Sequence, residues 1–172
     1  MEKYRIKLSA INEKLHKERF DINNEFINEC LDFQIDYSIL KLDVAIKKEG
    51  AREYELKCHI YGKINGVPCD LCTESLSLEI NKLDTFIIKE VNESIQSNDE
   101  IIFIQPGQKR IDITHLIFEM IILSIPLKRV HKLNKEGERL CDKEMLNLIQ
   151  KYFKKKSIEN DPRWDPLKKI TY

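Results

Sequence analysis

At 172 residues, with 42% hydrophobic and 34% charged side chains, the chain has the size and composition of one soluble domain with its own core. No apolar run approaches the roughly 20 residues that span a bilayer, and "MEKYRIKLSAINEKLHKERF" carries charges throughout where a secretory leader has an apolar stretch. The formal net charge is zero, but from Lys128 to Tyr172 there are 13 Lys+Arg and 7 Asp+Glu, a net of +6 that leaves −6 on the remainder.

In chain order, residues 1–105 read mainly as strands. Tyr4, Ile6 and Leu8 alternate with Arg5 and Lys7 in "YRIKLS", the period of a half-buried strand. Asp21 is placed to cap a short helix through "INNEFINEC". In "ILKLDVAIKK", Leu40, Leu42, Val44 and Ile46 share a face, opposed by Lys41, Asp43, Ala45 and Lys47. A turn at Gly50 leads to "EYELKCHIYG", with Tyr54, Leu56, Cys58 and Ile60 on one side. Two alternating runs across a short loop predict antiparallel neighbours. "SLSLEI", "TFIIKEV" and "EIIFI" follow as further short strands. The count predicts an antiparallel sheet, with enough strands to curl into a partial barrel.

Residues 106–172 read as helices and a tail. "IDITHLIFEMIILSIPLKR" starts a helix at Asp112 or Thr114 and runs three turns to Pro126. Its apolar stripe is wide, which predicts burial on most sides against the sheet. A second helix begins at Asp142, with Met145, Leu148, Ile149, Tyr152 and Phe153 as its stripe. The closing "NDPRWDPLKKITY" holds Pro162 and Pro166, which forbid a continuous helix. The fold class is therefore α+β, one domain over 1–172, with a sheet from the first two-thirds packed on C-terminal helices.

Enzyme signatures are missing. There is no Gly-rich phosphate loop, no G-x-S-x-G elbow and no H-E-x-x-H. His115 falls on the first long helix, where a core or interface role suits it better than general base, and Glu119 one turn on can pair with it. The residues supply no reaction, and the chain is expected not to be an enzyme.

An odd number of cysteines, five, suits a reducing compartment and a cytoplasmic protein. Cys58 shares the phase of its apolar neighbours and reads as a core residue, as does Cys30. "GVPCDLC" differs: Cys69 and Cys72 in a tight turn are the usual half of a tetrahedral zinc site. Thioredoxin-type chemistry wants a helix after the first cysteine, and a strand follows here. The remaining ligands would be His131 and Cys141, in "RVHKLNKEGERLC". The alternative is free thiols packed near one another, which the long separations favour.

The basic C-terminal quarter offers Lys128, Arg129, Lys132, Lys151, Lys154, Lys155, Lys156, Arg163, Lys168 and Lys169, with Trp164 as a stacking aromatic. Cations and exposed aromatics are what RNA contact requires. The competing readings are a solvated helix end for "KYFKKK" and a core anchor for Trp164.

Three segments in this order resemble one family. "GVPCDLCTESL" resembles the C-x-R-C-L-E segment of the YceD-like family, the bacterial large ribosomal RNA subunit accumulation proteins. "DEIIFIQPGQKRIDITHLIFEMIILSIPLKRVH" resembles that family's acidic-to-"IDL" segment and the helix ending in "LP", and "NDPRWDPLKKI" is similar to its closing tail. The likeness spans about residues 60–170. It implies a non-catalytic factor for accumulation, processing or assembly of large-subunit ribosomal RNA, with rRNA or a pre-ribosomal particle as partner. The alternative is a module that binds a ribosomal protein, with structural zinc and no RNA contact. Neither membrane nor DNA is expected as a partner. Leu71 stands where the family commonly has Arg, and its second cysteine pair is reduced to Cys141, so His131 would substitute in any shared metal site.

Overall fold

The computed structural model describes residues 4–8, 15–92 and 101–152. The elements in order are β1 (Arg5–Lys7), β2 (His16–Ile22), α1 (Asn24–Cys30), β3 (Tyr37–Lys48), β4 (Glu53–Pro68) and β5 (Ser75–Glu90). These are followed by β6 (Ile101–Ile104), β7 (Arg110–Asp112), α2 (Thr114–Ser124) and α3 (Lys143–Tyr152). Five strands form one sheet in the order β2-β3-β4-β5-β6, and β1 pairs with β7 in a second, two-stranded sheet. The fold is α+β as expected. Among the described residues the larger sheet is open, with β2 and β6 as its edges, and does not close into a barrel.

Strand alternation places the core. Leu42 pairs with Ile60, Val44 with Cys58 and Ile46 with Leu56, and all six side chains are buried. The opposite face carries Lys41, Asp43, Lys57, His59 and Tyr61. Against the apolar face lie Phe26, Ile27 and Cys30 of α1 and Ile117, Met120 and Ile121 of α2. Burial pushes the Cys58 thiol up to about 12 and Cys30 up to about 11, so both behave as small apolar core residues.

Four local expectations are corrected. Asp21 lies in β2 and caps nothing; Asn23 caps α1, its Oδ1 accepting from the Phe26 N–H at 3.1 Å. "SLSLEI" and "TFIIKEV" are one strand, β5, because pairing with β4 carries the chain through Asn81–Asp84 without a break. β6 joins β5 in parallel, Ile87 opposite Ile101. Finally, α2 is buried on one side only. Leu123 is 72% exposed and the His115 side chain 81% exposed, because α1 and β5 cover just one face; His115 Nδ1 pairs with Glu119 at 3.2 Å.

Long strands need relief where twist accumulates, and β4 obtains it from glycine. Gly62 pairs with Leu40 on one side and Ile80 on the other, at φ +142°. A Cβ there would collide with the carbonyl oxygen of Ile39. Gly66, at φ +89°, sits in the bulge between Asn65 and Val67, against the backbone N of Asp36. Gly62→Ala is therefore expected to lower stability by about 2 kcal/mol or more. Gly50→Ala, whose Cβ would stand 3.7 Å from Glu53 Cβ, should be near neutral. Denaturant unfolding of the two variants checks the contrast.

Candidate metal centre

β4 ends at Pro68 and β5 begins at Ser75, so Cys69 and Cys72 lie in a six-residue hairpin turn. The turn is tied by backbone bonds, Cys69 N–H to Glu74 O and Thr73 N–H to Cys69 O, both 2.9 Å. Thr73 adopts φ +61° to let the chain reverse. The Leu71 N–H points at Cys69 Sγ, 3.5 Å away, leaving the sulfur directed inward. Both thiols are buried although the turn is at a strand end.

Distant sequence completes the cluster. The loop after α2 brings His131 and Cys141 to the turn, so that the ligand atoms of Cys69, Cys72, His131 and Cys141 all lie within 4.8 Å of one another. Cys69 Sγ and Cys141 Sγ are 3.9 Å apart; His131 Nδ1 is 3.5 Å from Cys72 Sγ and 3.6 Å from Cys141 Sγ. A tetrahedral zinc ion with ordinary bond lengths requires about 3.8 Å between sulfurs and about 3.5 Å from sulfur to nitrogen. The other ring nitrogen, His131 Nε2, faces the Ser75 carbonyl at 3.3 Å. That acceptor holds the proton on Nε2 and turns the Nδ1 lone pair toward the sulfurs, as in histidine metal ligands.

The electrostatics point the same way. Burial raises the Cys69 thiol, but the N–H groups of Cys72, Leu71 and His131 outweigh it and bring the group down to about 6. Cys141 is pushed up to about 11 by burial and by the nearness of Cys69 and Cys72. Three sulfurs at this spacing can bind together as thiolates only with a compensating positive charge, which a divalent cation supplies. The four residues can hold a metal ion, and Cys₃His at these spacings suits zinc.

A second fastening lies beside the first. Asp70, between the two cysteines, accepts from the Arg129 backbone N–H at 2.6 Å and from its Nε and Nη2 at 3.2 and 3.0 Å. Asp70 N–H in turn donates to Arg129 O at 2.7 Å. The guanidinium also lies 4.7 Å from the centre of the Phe33 ring. Arg129, read from sequence as an RNA contact, has its charge engaged here. Lys128, Lys132 and Lys151 are exposed, and among the described residues no carboxylate pairs with them. Lys154, Lys155, Lys156, Arg163, Trp164, Lys168 and Lys169 lie outside the described residues. Sequence reasoning missed Asp70 and Phe33 as anchors, and nothing in their spacing marks them. It also passed over Lys135, Arg139 and Lys143, although the first two stand in the segment that joins His131 to Cys141.

Asp70→Ala should cost about 1–2 kcal/mol, the range for a charge-assisted pair left partly open to water. Thermal unfolding of Asp70→Ala, Arg129→Ala and the double variant checks it, with the two losses expected to be strongly non-additive.

A family model described as large ribosomal RNA subunit accumulation protein YceD matches residues 56–171, a span that contains all four cluster residues and the Asp70–Arg129 pair. No curated protein and no solved structure matches the chain. With two-thirds of its length covered by that match, the chain belongs to the YceD family of large ribosomal RNA subunit accumulation proteins.

Proposed function

We propose that this chain is a non-catalytic cytoplasmic factor that supports the accumulation of large-subunit ribosomal RNA by binding that RNA or a precursor particle. A structural zinc ion held by Cys69, Cys72, His131 and Cys141 belongs to the same reading. Zinc would supply folding energy to the hairpin turn and the loop after α2, without chemistry on a substrate.

The observation that carries the RNA reading is the gathering of cations without acid partners in one loop. On the sheet and its margins many cations face the protein's own acids: Arg19 with Asp43, Lys47 with Glu49, Lys57 with Glu55, Lys63 with Glu79, Lys82 with Asp84 and Lys89 with Glu53; Lys7, Lys17, Lys41, Lys48, Arg52, Lys109 and Arg110, on several separate elements, have no such partner among the described residues. Around the loop after α2, Lys128, Lys132, Lys135, Arg139 and Lys143 have no such partner among the described residues. Unpaired cations are the ones a phosphate backbone can use. The family supplies the polymer: large-subunit rRNA.

Titration of the purified chain with transcripts of large-subunit rRNA domains should show binding that weakens steeply with salt. Changing Lys154, Lys155 and Lys156 together to Gln should flatten the log–log salt slope by about 2. Salt-independent binding, or none, combined with capture of a ribosomal protein after nuclease treatment, would favour the protein-interaction alternative. Elemental analysis should give one zinc per chain, reduced in Cys72→Ser. A metal-free wild-type chain purified without chelators would remove zinc from the proposal.

A further inference from the structure

After Ile121, Cys141 is the single buried residue among the described residues. Ile125, Val130, Met145 and Leu146 touch the core only in part, and α3 buries nothing fully. Hydrophobic burial therefore holds this segment weakly. Its strong fastenings are the Asp70–Arg129 pair and the two cluster residues His131 and Cys141.

Between those two residues the chain makes a small hairpin. Leu133 bridges Arg139, Leu140 N–H donates to Lys132 O at 3.3 Å, and Asn134 N–H donates to Glu138 O at 2.7 Å. Asn134 Oδ1 closes the tip by accepting from Glu136 and Glu138 N–H. His131 and Cys141 stand next to each other at the open base. A metal held there would join the two legs of the hairpin to each other and both to the β4–β5 turn.

The five unpaired cations are distributed around that base: Lys128 before it, Lys132 and Arg139 on its legs, Lys135 toward the tip and Lys143 just after it. The acids of the segment are Glu136 and Glu138 at the tip, Glu144 in the first turn of α3, and Asp142, whose Oδ1 accepts from Met145 N–H at 2.7 Å to cap α3. We infer that this metal-held loop is the phosphate-contacting surface, and that it is assembled only while the metal joins it to the hairpin turn. The inference rests on the RNA-binding reading above and adds to it a surface and a dependence.

The physical reason is conformational entropy. Without the ion, the loop legs are held at their base by thiol and imidazole contacts of 3.5–3.9 Å. An anionic polymer binding to a loosened loop must bear the ordering cost itself. If metal strengthens RNA binding by some factor, RNA strengthens metal binding by the same factor.

The zinc-loaded full chain is titrated with a chromogenic chelator, with and without saturating large-subunit rRNA transcript. The chelator concentration that strips half the zinc should rise about tenfold with RNA, and zinc removal should weaken RNA binding by the same factor. A variant carrying Lys128→Gln, Lys132→Gln and Arg139→Gln keeps all four cluster residues. It should retain one zinc while losing both RNA affinity and the protection. RNA binding without any protection of zinc overturns the inference and leaves the proposed function standing. Protection that persists in the triple variant overturns the surface assignment. Absence of RNA binding by the loaded chain overturns both readings. The protection measurement starts from loaded protein, so it holds even if the zinc-free chain unfolds.

Discussion

Convergence of four donor atoms, within 4.8 Å, on the turn of the β4–β5 hairpin is the constraint on which the second half of the molecule depends. The hairpin itself is long, two strands of sixteen residues each, against a usual strand of five or six. Its middle is supported by β3 and by the helices, and its far end needs separate support. Val67 and Leu76 are buried near that end, but the turn beyond them is short and polar at Asp70, Thr73 and Glu74. Fastening the loop after α2 onto this turn solves two problems at once. The turn gains a cover, and a loop with almost no apolar burial gains an anchor. Two anchors of different chemistry are used: a buttressed Asp–Arg pair at the start of the loop, and a Cys₃His cluster that closes the base of its hairpin.

The sheet face away from the core follows a different rule. Several of its cations, Arg19, Lys57 and Lys63 among them, are matched by carboxylates across strands or two residues along, while Lys17 and Lys41 are not. Exposed pairs of this kind add little to stability. Their consequence is a surface of mixed charge, partly cancelled locally, which suits a solvated sheet. The loop cations escape this cancellation because the loop has few acids, and one nearby acid, Asp70, is already committed to Arg129.

How much of this is legible in the sequence depends on the range of the interaction. Period-two alternation gave the core faces of β3 and β4 correctly, because each residue's direction is set by its immediate neighbours. β2 was invisible for the same reason: its inward positions are His16, Glu18, Phe20 and Ile22, only half apolar, as an edge strand permits. The continuity of β5 through Asn81, Lys82 and Asp84 comes from pairing with β4, which no local window contains. The width of the α2 stripe misled about burial, since Ile122 and Leu123 remain exposed. At the cluster, residue types and the C-x-x-C spacing were readable, and so was the identity of all four candidate residues. Their proximity was not, because 59 residues separate Cys72 from His131 and 72 separate Cys69 from Cys141. Arg129 shows the limit most plainly. Its charge reads as available to RNA until the fold places Asp70 against it.

The charge division acquires a direction once the fold is in view. Residues before Lys128 carry a net of −6 and those from Lys128 onward +6, and the described part of the basic share is concentrated in a loop fixed to one end of the hairpin. A neutral total gives no long-range pull on a polyanion, but a separated distribution still orients the molecule as it approaches. On the proposed RNA-binding reading, the acidic body is turned away and the loop leads. Screening limits this to about 8 Å at physiological salt, so the orienting charges must be held at the surface in a fixed arrangement to act together. A loop without apolar burial keeps such an arrangement only through its anchors, and the cluster at the hairpin turn is where those anchors are.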